Sequence, residues 1–278
     1  MKLKGHEKFP LREGWINKGI RGVNYNSKIF TSNDGPDILG VGTNMVKSIR
    51  YWMQCFLLIN ENPKDGAKLS DIGKLIEKYD LYLEDDFSLW ILHSLISKND
   101  DRATAWYLFF NKCGVEEFRK EELFEILKKE LIVYAGTDNF PDTSLKDDID
   151  VLLNMYSKNN LDSDPEDKNK SPFATLGLIK KEKDIYLKQQ PDMRRFDEKV
   201  VLYELALLFA DKDTASIDTV YEITKNIYHL NVVTLNGILD RLDDMGYIRV
   251  NRTAGLDVIY PVNIGKPCEV IEEYYQNR

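Results

Sequence analysis

Cysteine is scarce in this chain: Cys55, Cys113 and Cys268 lie far apart, are odd in number and form no CxxC pair. That excludes a zinc ribbon, a thioredoxin-type redox site and a secreted disulfide scaffold. With 16 glycines and 9 prolines in 278 residues, a collagenous or low-complexity chain is excluded too. Long hydrophobic runs are missing. The longest mostly apolar stretch, Met53 to Ile59, falls far short of a membrane span. The N-terminal MKLKGHEKFPLREGW lacks the apolar core of a signal peptide. The expectation is a soluble, cytoplasmic protein without a membrane partner. A positive excess is also lacking: the formal charge is −8, so the molecule as a whole is no polycation for nucleic acid.

What is present is a 43% hydrophobic chain, long enough to bury a core unaided, as one large domain or two to three modules. Its charge is uneven. Residues 1–60 hold nine Lys/Arg against four Asp/Glu, a net +5, while residues 197–278 hold eight against fourteen, a net −6. The middle therefore carries −7. A basic N-terminal fifth on an acidic body points to a face suited to phosphates or an acidic partner.

The periodicity predicts a mainly α protein. Residues 1–43 show no helical period and read as irregular structure with short strands. A helix is expected from about Asn44, with Met45, Ile49, Trp52, Phe56 and Ile59 as its apolar stripe and Lys47, Arg50 and Gln54 opposite. Further helices are expected over 71–78, 87–98, 103–112, 120–132 and 145–157. The 44–98 helices resemble a helix-turn-helix trio. Asn159 to Ser171 is polar and poor in core formers, the best linker candidate. A short connecting segment, 172–196, carries a possible hairpin near Leu178-Ile-Lys-Lys181. Helices over 198–210, 217–228 and 232–245, then alternating Tyr247–Val250 and Leu256–Tyr260, give the order of a winged helix. The expected division is thus 1–158, a basic segment plus helical domain; 159–171, linker; 172–196, connector; 197–265, winged helix; and 266–278, tail. No internal repeat is visible.

Several groups could carry chemistry. Gly40-Val-Gly42-Thr43 before a helix start suits an anion, because free N–H groups and the helix dipole favour a phosphate; Walker and Rossmann patterns are absent. A tight turn is the plainer reading. Lys47, Arg50, Lys18 and Arg12 could hold backbone phosphates, with Arg249 and Arg252 on the wing. The third helix of the winged module presents Asp240 and Asp244 beside Arg241, which favours a protein partner over bases. Phosphodiester hydrolysis needs a base and charge neutralisation, commonly by metals on carboxylates. His6 with Glu7, and Glu84 and Asp85 with His93, are the candidate catalytic groups; Glu84 and Asp86 are candidate ligands for Mg²⁺ or Mn²⁺. The competing readings are a helix cap for the acids and a core histidine for His93. Two PD…(D/E)xK letter matches, Pro141-Asp142 with Glu166-Asp-Lys168 and Pro191-Asp192 with Asp197-Glu-Lys199, lack the context of that nuclease motif.

The segments His6–Trp15, Leu39-Gly-Val-Gly-Thr-Asn-Met-Val-Lys-Ser-Ile-Arg-Tyr-Trp52, Asp80–Asp85 with Leu89–His93, and Ser171–Ile179 carry a resemblance that spans most of the chain. In order and wording they resemble a prokaryotic family, long labelled a domain of unknown function, from DNA phosphorothioation defence clusters. The DNA-nicking B subunit of the Ssp-type system is of this kind. It works beside a cysteine desulfurase, an ATPase and a sulfur-transfer enzyme. The resemblance implies a DNA-directed, anti-phage role in which the backbone is nicked so that sulfur can be inserted, with weight on His6, Glu7, Arg12, Lys47, Arg50, Glu84, Asp85 and His93. Three readings stand: a metal-dependent nicking endonuclease, a non-catalytic winged-helix DNA adaptor, and a protein-interaction subunit that dimerises or docks.

Overall fold

The computed structural model describes residues 1–157, 170–255 and 257–278, the side chain of Ala254 excepted. Within them the chain forms two compact units, Met1–Gln189 and Gln190–Arg278. Most of the expected linker, and Glu166-Asp-Lys168, lie outside the described residues.

Unit 1 begins with helices where irregular structure was expected: α1 is Trp15–Tyr25 and α2 is Gly35–Leu39. Then come α3 (Thr43–Cys55), the hairpin β1 (Ile59–Asn62) and β2 (Gly66–Leu69), α4 (Asp71–Tyr79) and α5 (Asp86–Lys98). Gly66, at φ +79°, turns the hairpin where an added Cβ would lie 2.3 Å from the Ser27 carbonyl oxygen. Ser70 caps α4 by accepting the Gly73 N–H, and Asp85 caps α5 by accepting that of Phe87.

The rest of unit 1 is α6 (Thr104–Asn111), β3 (Glu117–Arg119), α7 (Lys120–Ala135), α8 (Asp142–Ser157), a 3₁₀ turn (Pro172–Leu176), and the hairpin β4 (Ile179–Glu182) and β5 (Ile185–Lys188). These strands form an antiparallel sheet in the order β3-β5-β4. Residues 172–188 are therefore not a connector but part of this unit. Phe173 is fully buried; its ring stacks on Phe56 at 5.4 Å and meets Tyr156 edge-on at 5.5 Å.

Unit 2 comprises α9 (Glu198–Phe209), β6 (Ala215–Ser216), α10 (Ile217–Tyr228), α11 (Val232–Asp244), β7 (Ile248–Asn251), β8 (Val258–Pro261) and α12 (Pro267–Gln276). Its helix bounds differ from the expected ones by one residue at most, because Asp197, Ser216 and Asn231 each cap a helix with a side-chain oxygen. The sheet order is β6-β8-β7. Hence α6–β5 and α9–β8 share one topology: helix, strand, two helices and a hairpin whose second strand lies centrally. The repeat is in topology and leaves no trace in the sequence. The expected tail is also structured, since α12 packs on α9 and Glu273 accepts from Lys199 Nζ at 3.0 Å.

The aromatic packing gives a test of where unit 1 ends. Phe173→Ala removes a fully buried ring and is expected to cost about 3–5 kcal/mol, read by urea unfolding of the full chain. A loss under about 1 kcal/mol would return this segment to the role of a connector.

Candidate functional site

The N-terminal residues are held in place by one buried polar contact. His6 is wholly buried, and its Nε2 lies 2.7 Å from Asp148 Oδ1 on α8. Its Nδ1 accepts the Lys8 N–H at 3.1 Å, so the neutral ring carries its proton on Nε2 and donates it to Asp148. Asp148 Oδ1 also accepts the Lys4 N–H at 2.7 Å. The imidazole stacks on Trp52 at 6.0 Å and meets the edges of Tyr51 and Trp106. Burial raises the Asp148 carboxyl above its ordinary value, an effect that His6 opposes. Burial also pushes Asp147 up, but Lys4 and Lys8, at 2.9 and 3.1 Å, outweigh it and hold this carboxyl below its usual value. Lys4, Glu7 and Lys8 all have positive φ, between 49° and 67°, a conformation uncommon outside glycine.

This anchored segment forms one wall of a cavity of about 850 Å³. Lys2, Lys4 and Glu7 come from that wall, Lys28 from the loop after α1, Lys47, Arg50, Tyr51 and Gln54 from α3, Glu61 from β1, and Arg102 from the turn before α6. Its floor is a hydrogen-bonded chain. Arg102 Nη1 donates to Gln54 Oε1 at 2.8 Å, Gln54 Nε2 to Glu61 Oε2 at 2.8 Å, and Arg50 Nε to the same oxygen at 2.9 Å. The lining therefore carries six cationic side chains against two carboxylates. Lys2, Lys28 and Lys47 form its exposed rim. Beneath the floor, burial raises the Tyr51 phenol and pushes the Cys55 thiol up to about 12, so Cys55 is no thiolate nucleophile.

Of the residues expected at a site, Glu7, Lys47 and Arg50 converge on this cavity. The others do not. His93 is fully buried, with Nδ1 at 2.7 Å from the Tyr156 hydroxyl and Phe110 edge-on at 4.6 Å. It is a core histidine, so the expected grouping with Glu84 and Asp85 does not form. His6 is likewise sealed from any substrate. Asp80 accepts the N–H groups of Glu84 and Asp85, Asp85 caps α5, and Asp86 sits in the first turn of that helix. Glu84 itself is exposed. The acidic run organises a helix start. Among the described residues no three His, Cys, Asp or Glu side chains group as a metal-ligand set. Glu84 and Asp86, the expected Mg²⁺ or Mn²⁺ ligands, flank the Asp85 cap at this helix start.

The glycine loop is a helix junction. Gly40, at φ +61°, closes α2, and Gly42 precedes Thr43 at the start of α3; none of the three lines the cavity. Lys18 donates to the Leu39 carbonyl at 2.6 Å, serving the end of α2. Arg12 packs over Phe9 and Trp15 at 5.3 and 5.2 Å.

The family model described as "Protein of unknown function (DUF4007)" matches residues 3–275. The chain belongs to the DUF4007 family. A search of curated proteins gave no match. Among solved structures, "Magnesium ion-bound SspB crystal structure" is similar at TM-score 0.87 and 20% identity, over 99% of this chain and 88% of that one. "SspB crystal structure" is similar at TM-score 0.85 and 21% identity, with the same coverage. The DUF4007 chain thus has the SspB fold. Among the described residues no helix is long and apolar enough to cross a membrane.

In unit 2 of this DUF4007 member the two arginines at the β7–β8 hairpin, expected to touch DNA, face acids of their own unit. Arg252 Nη1 lies 2.7 Å from Asp240 Oδ1 and Nη2 donates to Asn236 at 3.1 Å, while Arg249 Nε lies 3.4 Å from Asp243.

Asp148 was missed as a site residue, yet it had a signal. It lies between Leu145, Ile149 and Leu152 on the apolar face of α8, where a carboxylate needs a partner. Its raised pKa gives a pH test. The folded state holds this proton more tightly than the unfolded chain, so the Asp148 contribution to stability falls as pH rises from the ordinary carboxylate range through the raised value. Asp148→Asn keeps the Oδ1 acceptor and removes the charge. Its stability relative to the parent, from urea titrations at a series of pH values, is expected to increase across that window and then level off. A relative stability that decreases with pH would refute the assignment.

Proposed function

We propose that the chain is the DNA-directed component of a phosphorothioation-type defence system, and that the unit 1 cavity is where it holds the DNA backbone. The observation that carries this reading is the cavity's charge. Lys2, Lys4, Lys28, Lys47, Arg50 and Arg102 converge there against only Glu7 and Glu61, on a protein whose formal charge is −8. Backbone phosphates neutralised by such cations release counterions, which gives sequence-independent, salt-sensitive binding. The SspB-like fold and the motif resemblance support the same assignment.

We read α6–β5 and α9–β8 as two winged helices, neither of which presents a third helix suited to the major groove. In the first, α8 bears Asp142, Asp147, Asp148 and Asp150, met by Lys128, by Lys4 and Lys8, by His6, and by Lys120 respectively. In the second, Asp240 and Asp243 on α11 neutralise the wing arginines. These modules suit docking of protein partners, such as the ATPase and sulfur-transfer subunits or a second copy, better than base readout.

Nicking is the activity that the resemblance implies, and Glu7 is the residue we assign to it. Glu61 is committed to Arg50 and Gln54, which leaves Glu7 as the cavity carboxylate not spent on a cation. It could accept a proton from an attacking water beside cations that stabilise the transition-state charge. Its strained φ of 49° fits a residue held for function rather than for stability.

Two outcomes test this. With labelled duplex, Lys28→Gln combined with Lys47→Gln should lower the slope of log affinity against log salt by about 2; an unchanged slope would remove the cavity from the DNA path. With supercoiled plasmid, assayed with Mg²⁺ or Mn²⁺ and with a chelator in parallel, the parent should convert it to open circles. Glu7→Gln should slow that by about 10²–10⁴-fold while keeping DNA binding. Binding without nicks would leave the adaptor reading. Neither binding nor nicks would end the DNA assignment for the chain acting alone.

A further inference from the structure

Building on the reading of the cavity as a DNA phosphate site, we infer that it also retains the product of the proposed nicking, holding the terminal phosphomonoester at a nick or strand end more tightly than the diesters of an intact strand. The first argument is the floor. Arg50 spends Nε on Glu61 and Arg102 spends Nη1 on Gln54, with Gln54 tied to Glu61. A guanidinium has five N–H donors in a fixed fork, so each arginine keeps donors in reserve. Because the chain of bonds already fixes both forks, binding costs little further side-chain ordering.

The second argument is charge. Arg50 is matched by Glu61 and Lys4 by Asp147. Lys2, Lys28, Lys47 and Arg102 then face Glu7 as the remaining carboxylate of the lining. A phosphodiester brings one negative charge to such a place. A phosphomonoester brings about −1.5 to −2 and three acceptor oxygens, a closer match to several converging cations.

Shape is the third. The cavity, about 850 Å³ and open on one side, lies within the size range of small-ligand clefts and cavities, roughly 300–1,000 Å³. Its guanidiniums are partly buried and Glu61 is only 12% exposed, while the lysines stand at the mouth. Tyr51, the aromatic residue of the lining, is 3% exposed and offers no face for a base to stack on. Recognition is then by phosphate, without sequence preference.

The test uses the full-length protein and a labelled duplex with one central nick, prepared with a 5′-phosphate, with a 3′-phosphate, or with hydroxyls on both sides, beside the intact duplex. One phosphorylated nick is expected to bind about tenfold more tightly than the hydroxyl nick. Arg50→Gln should erase that preference, and Lys28→Gln/Lys47→Gln, both at exposed positions, serves if Arg50→Gln does not fold. Equal affinity for all nicked forms overturns the inference, and leaves the backbone reading intact if the duplexes still bind with the lysine-dependent salt slope. Displacement of every DNA form by ATP at micromolar levels overturns it in favour of a free nucleotide. Absence of binding to any form overturns both readings.

Discussion

The hydrogen bond from His6 Nε2 to Asp148 Oδ1, 2.7 Å long and fully buried, ties the first residues of the chain to α8, and much of unit 1 follows from it. It draws Lys4 and Lys8 onto Asp147, which neutralises part of the acidic face of α8. It also leaves Lys2, Lys4 and Glu7 along one wall of the cavity. Without that bond the buried carboxylate would be left without its ring partner at considerable cost. One pairing therefore both removes an acidic surface and assembles a basic one.

The same residues terminate an aromatic column. His6 stacks on Trp52, Trp52 on Phe56, Phe56 on Phe173, and Phe173 meets Tyr156, whose hydroxyl bonds His93. Both histidines that the sequence offers as catalysts stand at the two ends of this column. Their polar atoms satisfy the buried ends of a core rather than serving a substrate. The chemistry left open to the cavity is carboxylate, lysine and arginine chemistry. The proposed holding of phosphates rests on that set of groups.

How much of this the sequence carries depends on what the residues report. Capped, strongly periodic helices were legible: those opening at Asp197, Ser216 and Asn231 appear where the pattern put them. So was the polar face of α3, since Lys47, Arg50 and Gln54 all reach the cavity. Helix α1 was not, because residues 1–43, rich in glycine, proline and asparagine, show no clear helical period, and the helix's two glycines, Gly19 and Gly22, fall on the packed face. In the structure they are close-packing positions: an added Cβ would lie 2.8 Å from Met53 Sδ and 2.7 Å from Leu39 Cδ2. The cavity drew on residues from 2 to 102, so no local pattern could reveal Lys28, Glu61 or Arg102. In the acid run Glu84–Asp86 a cap and a ligand set use the same letters, and the structure spends Asp85 as the cap.

The account stands or falls on whether DNA occupies the cavity, and lysine-reactivity footprinting reads that directly. Full-length protein is acetylated briefly with and without duplex, and modification is mapped by mass spectrometry. Lys2, Lys28 and Lys47 are expected to be shielded by DNA, while Lys180, Lys181 and Lys183 on the exposed hairpin of unit 1 keep their reactivity. Shielding of the hairpin lysines with the cavity lysines unchanged would contradict it, and would move the DNA to that hairpin.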